Sequence, residues 1–175
     1  MTRSPAASVG PATRVLGIDP GSECTGWGLV AESSGGPVLV DCGLIRPRAT
    51  EFAVRLGQLQ AEVEQLLLRL APDCAAVESP FHGVSPRSSL QLAHARGVIL
   101  AALARAGVEV AEYSPATVKK AVTGNGRAEK GQVRGMIGRL LAAPMPARAD
   151  VSDALAVSLC HVTSRRFLSA VDRAR

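Results

Sequence analysis

Four acidic residues have the types and settings to do chemistry together. Asp19 follows the apolar run Val15, Leu16, Gly17, Ile18 and precedes Pro20 and Gly21, while Glu78 follows Ala75, Ala76, Val77 and precedes Ser79 and Pro80. Each carboxylate stands at the end of a short β-type run, where a rigid strand can hold it against a substrate. Asp150 and Asp153 open a helical pattern three positions apart, so both project from one face near its first turn. Carboxylates gathered at one spot repel one another unless cations neutralise them. Hard oxygen ligands without Cys or His suit Mg²⁺, with Mn²⁺ able to substitute, and two such ions about 4 Å apart can bind both the attacking and the leaving oxygen of a phosphodiester. Taken singly, each acid has a plainer role. Asp before Pro-Gly forms turns, Glu at a strand end is solvated, and Asp at a helix start caps it and complements its dipole.

The elements that must position these acids follow from periodicity. Residues 14–18, 27–30 and 38–45 read as three strands of an antiparallel meander, with turns at Pro20-Gly21 and around residues 33–37. Between residues 51 and 70, Phe52, Leu56, Leu59, Val63, Leu66, Leu67 and Leu70 recur at helical spacing, and Pro72 prevents continuation. Residues 74–77 and 108–113 read as strands flanking an alanine-rich helix at 88–106, and strand, helix, strand implies a parallel pair. Two shorter helices at 115–122 and 129–141 follow, joined through Gly124, Asn125 and Gly126, and a last helix opens at Asp150. The organisation is an extension at residues 1–13, one domain at 14–164, and a basic tail at 165–175 expected to fray.

The bulk numbers narrow the class. A chain of 175 residues with 47% hydrophobic content supports one well-cored domain, and a formal charge of +5 favours a polyanionic partner. No apolar run is long enough to span a bilayer or to act as a secretory leader, so the expected location is the cytoplasm, away from membranes. The four cysteines, Cys24, Cys42, Cys74 and Cys160, lack zinc-site spacing and read as reduced, mostly buried small hydrophobes.

Several segments then resemble one family in order and spacing. Gly17, Ile18, Asp19, Pro20, Gly21, Thr25 and Gly26 resemble the opening of the RuvC family of Holliday-junction resolvases. So do Ala76, Val77, Glu78 and Phe81, then Gln91, Ala93, Ala95, Arg96, Gly97 and Val98. Val118, Lys119, Gly124, Gly126, Ala128, Glu129, Lys130, Gln132 and Val133 continue the likeness, and Ala149, Asp150, Asp153, Ala154, Leu155 and Ala156 look like its last acidic motif. Departures are the Pro- and Ser-containing N-terminus, Gly131 and the C-terminal tail.

The resemblance implies an α/β, ribonuclease-H-like fold: a five-stranded mixed sheet flanked by helices. It implies a homodimer that nicks four-way junction DNA symmetrically in recombination and repair, with RuvA and RuvB as partners. Asp19, Glu78, Asp150 and Asp153 fall on the family's catalytic, Mg²⁺-binding acids, and Lys119 and Lys130 on its active-centre lysines, Lys130 with a catalytic role. The expected reaction is in-line hydrolysis that leaves 5′-phosphate and 3′-hydroxyl ends. Phe81 is expected to stack on or wedge beside an unpaired base, with Arg87 in the same loop region and Arg127 assisting the lysines on DNA. Against these stand plainer roles: Phe81 closing the core, and Arg127, Glu129 and Lys130 capping a solvated helix.

Ala93, Gly97 and Ala101 form a small-residue strip that fits either a second subunit or sheet packing within the chain. His94, His161, Trp27 and Tyr113 read as packing residues. The first motif also resembles the phosphate turn of actin-like ATPases and sugar kinases, but this chain is too short for their two lobes.

Overall fold

The computed structural model describes residues 12–79 and 85–173. Its centre is a five-stranded mixed sheet in the order β3-β2-β1-β4-β5. The antiparallel meander is present as β1 (Thr13–Asp19), β2 (Thr25–Ser33) and β3 (Gly36–Ile45). β4 (Cys74–Glu78) and β5 (Glu109–Tyr113) add to β1 in parallel, as the strand, helix, strand reading requires. The α1 helix (Phe52–Leu70) precedes β4, and α2 (Pro86–Arg105) makes the crossover to β5. Then come α3 (Pro115–Thr123), α4 (Lys130–Leu140) and α5 (Ala149–Arg173).

Strand alternation divides the core into two layers. Leu16, Ile18, Ala75 and Val77 face α1 and α2, burying Leu59, Val63, Ala95, Ile99 and Leu103 with them. Val15, Cys74 and Ala76 point the other way, into a layer built with Val118, Ile137, Leu155 and Cys160 from α3, α4 and α5. Polar residues end the helices where expected. Glu51 caps α1 by accepting from the backbone N–H of Ala53 and Val54, and Ser114 caps α3 just before Pro115. Gly124 closes α3 at a φ of 80°, a left-handed conformation that glycine adopts without strain.

Two expectations need correction, on the C-terminal segment and the cysteines, and the alternative left open for the α2 strip is narrowed. The basic C-terminal segment does not fray within the described residues: α5 runs on to Arg173, and Arg166 ties it to the sheet through Glu32 (2.8 Å) and the carbonyl of Ser33 (3.1 Å). The strip Ala93, Gly97, Ala101 does not pack on the sheet; all three residues are exposed on α2, and a Cβ added to Gly97 would meet nothing within 4 Å. The cysteines are free, but only Cys74 and Cys160 are buried. Trp27 is core as expected, under the Arg69 guanidinium at 5.2 Å, and His161 is half-buried and hydrogen-bonded to the Tyr113 hydroxyl at 2.8 Å. His94 lies on the outer side of α2, edge-on to Phe52.

Candidate active site and metal centre

Asp19 and Glu78 end two neighbouring parallel strands. The ladder pairs Ile18 with Val77, so the next residue on each strand is an acid. Because Ile18 and Val77 both face α1 and α2, strand alternation turns Asp19 and Glu78 toward α5. The site therefore lies at the carboxyl ends of parallel strands, where loops and helix starts leave a crevice.

Glycines bring α5 to this spot. An added Cβ at Gly26 would lie 2.0 Å from the carbonyl oxygen of Asp150, one at Gly17 would lie 2.1 Å from that of Ala154, and one at Gly28 would lie 2.4 Å from Leu155. The first turns of α5 thus rest directly on the backbone of β1 and β2, and the hydroxyl of Ser158 donates to the Gly28 carbonyl at 2.8 Å. Thr25, buried at the start of β2, donates to the Gly21 carbonyl at 2.9 Å and accepts from its N–H at 3.3 Å. These contacts fix the β1–β2 turn against the helix start. The sequence contains the glycines, but their reason is α5 on the far side: its backbone at Gly17 and Gly26, and the Leu155 side chain at Gly28.

The arrangement is electrostatically costly, as a cation site should be before its cation arrives. Burial pushes the Asp19 carboxyl up to about 8; the charges of Glu78, Asp153 and Asp150 add to the rise, and Lys130 opposes it. Glu78 is raised as well, first by burial and then by Asp153, while Lys130, a hydrogen bond from Asp19 and Lys119 pull the other way. Two adjoining cavities share Glu78. One, of about 90 Å³, lies between Asp19, Glu78, Leu92 and Arg96; the other, of about 660 Å³, is lined by Glu78, Asp153, Lys119 and Lys130.

Two acids are each drawn to a cationic side chain. Lys130, in the first turn of α4, places Nζ 3.3 Å from Asp153, and Asp153 in turn holds the ammonium charged. Arg148 lies 3.3 Å from Asp150, whose carboxylate also faces the Cys24 thiol at 3.7 Å. Asp19 and Glu78 therefore share the small cavity and Glu78 and Asp153 the large one, whereas Asp150 lines neither and lies at the flank. Among the described residues no three acids, His or Cys form a ready-made metal cage. The donor set nonetheless fits a hard divalent cation: all oxygen, with an acid kept protonated first by burial and then by the neighbouring carboxylates.

Of the other expected DNA contacts, Lys119 lines the larger cavity. Arg87 and Arg127 are exposed and line neither cavity, and Phe81 lies outside the described residues. Sequence reasoning gave no role to Arg96, which lines the small cavity while paired to Glu112 on β5, because that pairing exists only across the fold. It also passed over Arg148, although a cation two positions before Asp150 was there to be seen.

Residues 15–161 match the family described as "Crossover junction endodeoxyribonuclease RuvC". The chain belongs to the RuvC family. A relative of that name from Nitratidesulfovibrio vulgaris (strain Hildenborough) is 48% identical over 153 residues, covering 87% of this chain and 92% of the relative. The structure of Thermus thermophilus RuvC aligns with a TM-score of 0.81 at 32% identity, covering 89% of this chain and 96% of that one. The same protein in complex with a Holliday junction substrate aligns with a TM-score of 0.80 at 30% identity over the same shares. The ribonuclease-H-like fold expected of a RuvC-family member is the one observed.

One prediction arises from the raised acid of this RuvC-family site. Asp19 is raised above its ordinary value, so the fold holds an extra proton between about 4 and about 8, and that proton's stabilisation is lost as pH rises through the window. A divalent cation needs the ionised carboxylate and must displace the proton. Calorimetric titration with Ca²⁺, without DNA, is therefore expected to show affinity rising by up to about tenfold per pH unit from 6 to 8 and levelling above. A flat profile over that range contradicts the assignment.

Proposed function

We propose that this RuvC-family protein is a structure-selective endonuclease that resolves Holliday junctions by paired symmetric nicks, in recombination and repair. The observation that carries the reading is the convergence of Asp19, Glu78 and Asp153 beside a groove lined by Lys119 and Lys130. Asp19, Glu78, Asp150 and Asp153 are the ligands for two Mg²⁺ ions, for which Mn²⁺ can substitute. Bound there, the ions would supply the Lewis acidity that activates the attacking oxygen and neutralises the leaving one, giving 5′-phosphate ends.

The chain's own side chains do the rest. Lys130 and Lys119, on the groove wall, hold the scissile or neighbouring phosphate, and a cation bound by Asp153 would compete with Lys130 for that carboxylate. Leu92 gives the small cavity beside Asp19 an apolar wall. Arg87 and Arg127 contact DNA outside the two acid-lined cavities, and Phe81 stacks on or wedges beside an unpaired base near the cut. Residues 14–164 form the nuclease domain, and the protein works in the cytoplasm with RuvA and RuvB. No helix among the described residues is long and apolar enough to cross a membrane.

Two symmetric cuts call for a homodimer. The outward face of α2 suits that role, with Leu90 62% exposed and Ala93, Gly97 and Ala101 open beside it. Among the described residues nothing lies within 4 Å of a Cβ added at Gly97. Gly97→Arg is expected to weaken self-association at least about tenfold through a buried unpaired charge, read as a halved mass by light scattering. An unchanged mass would place the dimer contact elsewhere.

The deciding assay is a labelled four-way junction incubated with Mg²⁺, with Ca²⁺ and with a chelator. Paired symmetric nicks in Mg²⁺ alone, with binding kept in Ca²⁺, are expected. Cutting in chelator, or of linear duplex as readily as of the junction, would overturn the reading.

A further inference from the structure

Lys119 and Lys130 lie on the α3–α4 side of the acids. A second basic run begins on the other side, at Asp150. Arg148 Nη2 is 3.3 Å from the Asp150 carboxylate, the Cys24 thiol faces the same oxygen, and Arg46 Nε reaches that sulfur at 3.5 Å. Arg46 and Arg48 then line a surface groove of about 550 Å³ with Gln58, Ala61 and Glu62. Gln58 fixes the groove's rim by accepting from the backbone N–H of Arg48 and Ala49. Among the described residues neither Arg46 nor Arg48 has a carboxylate partner, and both are exposed.

We propose that Arg148, Arg46 and Arg48 form a second phosphate-binding track, and that Arg148 exchanges Asp150 for a DNA phosphate when a divalent cation enters. The chemistry is direct. A carboxylate that ligates a cation has less charge to offer a guanidinium, and the cation repels a guanidinium 3.3 Å from the same oxygen. The freed guanidinium is matched to phosphate, which it binds in a bidentate manner, and Arg46 continues the run outward. A strand crossing the acids would then be held on both sides, by Lys119 and Lys130 on one and by the three arginines on the other. Arg148 also couples metal to substrate: the cation liberates the side chain that DNA needs.

The proposal rests on the endonuclease reading above, and the test separates the two. Arg46→Gln, Arg48→Gln and Arg148→Gln of the full chain are titrated with a four-way junction in Ca²⁺ across a salt series, and each is titrated with Ca²⁺ alone. Removing one phosphate-binding guanidinium is expected to lower the slope of log affinity against log salt by about 1. Without DNA, Arg148→Gln is expected to bind Ca²⁺ at least about threefold more tightly, since a competing cation has gone. Arg46→Gln and Arg48→Gln should leave Ca²⁺ affinity as it was. Salt slopes equal to the unmodified chain's would overturn the track, and unchanged or weaker Ca²⁺ binding by Arg148→Gln would overturn the exchange. An unmodified chain that does not bind the junction would instead remove the reading on which both rest.

Discussion

Asp19→Asn is expected to bind a four-way junction in Ca²⁺ with near-unchanged affinity and to cut it in Mg²⁺ at least about a hundredfold more slowly. Removing a group that merely orients a metal ligand already costs about 10–100-fold, so removing a ligand itself should cost at least the top of that range. Asp19 is also the most central of the acids: its carboxyl is raised by burial and by Glu78, Asp153 and Asp150 together. Without metal the buried carboxyl is largely protonated below about 8, so a neutral isostere takes the place of a neutral group, folding should not suffer, and the melting temperature without metal should hold. The basic groove wall of Lys119 and Lys130 is untouched, which is why binding survives. Junction cleavage at the unmodified rate by the purified variant would end the assignment of the acids, while loss of binding with cleavage would mean that Asp19 supports the fold and not the chemistry.

Gly26→Ala should come close to the same loss by a different route. One methyl group at this position would sit 2.0 Å from the Asp150 carbonyl oxygen and 2.4 Å from its carbonyl carbon, both backbone atoms that cannot rotate aside. The start of α5 must lift, and Asp150 and Asp153 lift with it. Overpacking of this kind costs about 1–3 kcal/mol, and a displacement of about 1 Å at a catalytic group costs on the order of a hundredfold in rate. The expected result is a lower melting temperature, weaker Ca²⁺ binding and slow cleavage in the same variant. Gly57→Ala is the control: this helical glycine of α1 has nothing within 4 Å of an added Cβ, and the change should stabilise by about 0.5–1 kcal/mol without affecting cleavage. If Gly26→Ala melts and cuts like the unmodified chain, the close seating of α5 is not what positions the acids.

The ten elements were legible because each carries its own period. The meander, the crossover helix and the capped short helices follow from alternation, helical spacing and Pro or Gly at the ends, and their observed bounds differ by a few residues, the C-terminal end of α5 excepted. Where sequence and structure part, a distant contact decides. The segment 165–175 looks unperiodic, but its helix continues because Arg166 reaches Glu32, over a hundred residues away in the chain. The strip on α2 allows two partners, and only the packed structure shows that the sheet takes the other face, through Ala95, Ile99 and Leu103.

By itself, the sequence determined the residue types, the strand ends and helix start that carry the acids, and the net positive charge. Those properties are local, fixed by spacing along one strand or helix. Tertiary structure alone decided which acids share a cavity, that Asp150 stands at the flank with Arg148 and Cys24, and that Arg96 and Lys130 face the centre. The physical reason is that a carboxylate's ionisation and its partners depend on charges and burial within a few ångströms, and those neighbours come from β1, β4, α4 and α5, which only packing brings together.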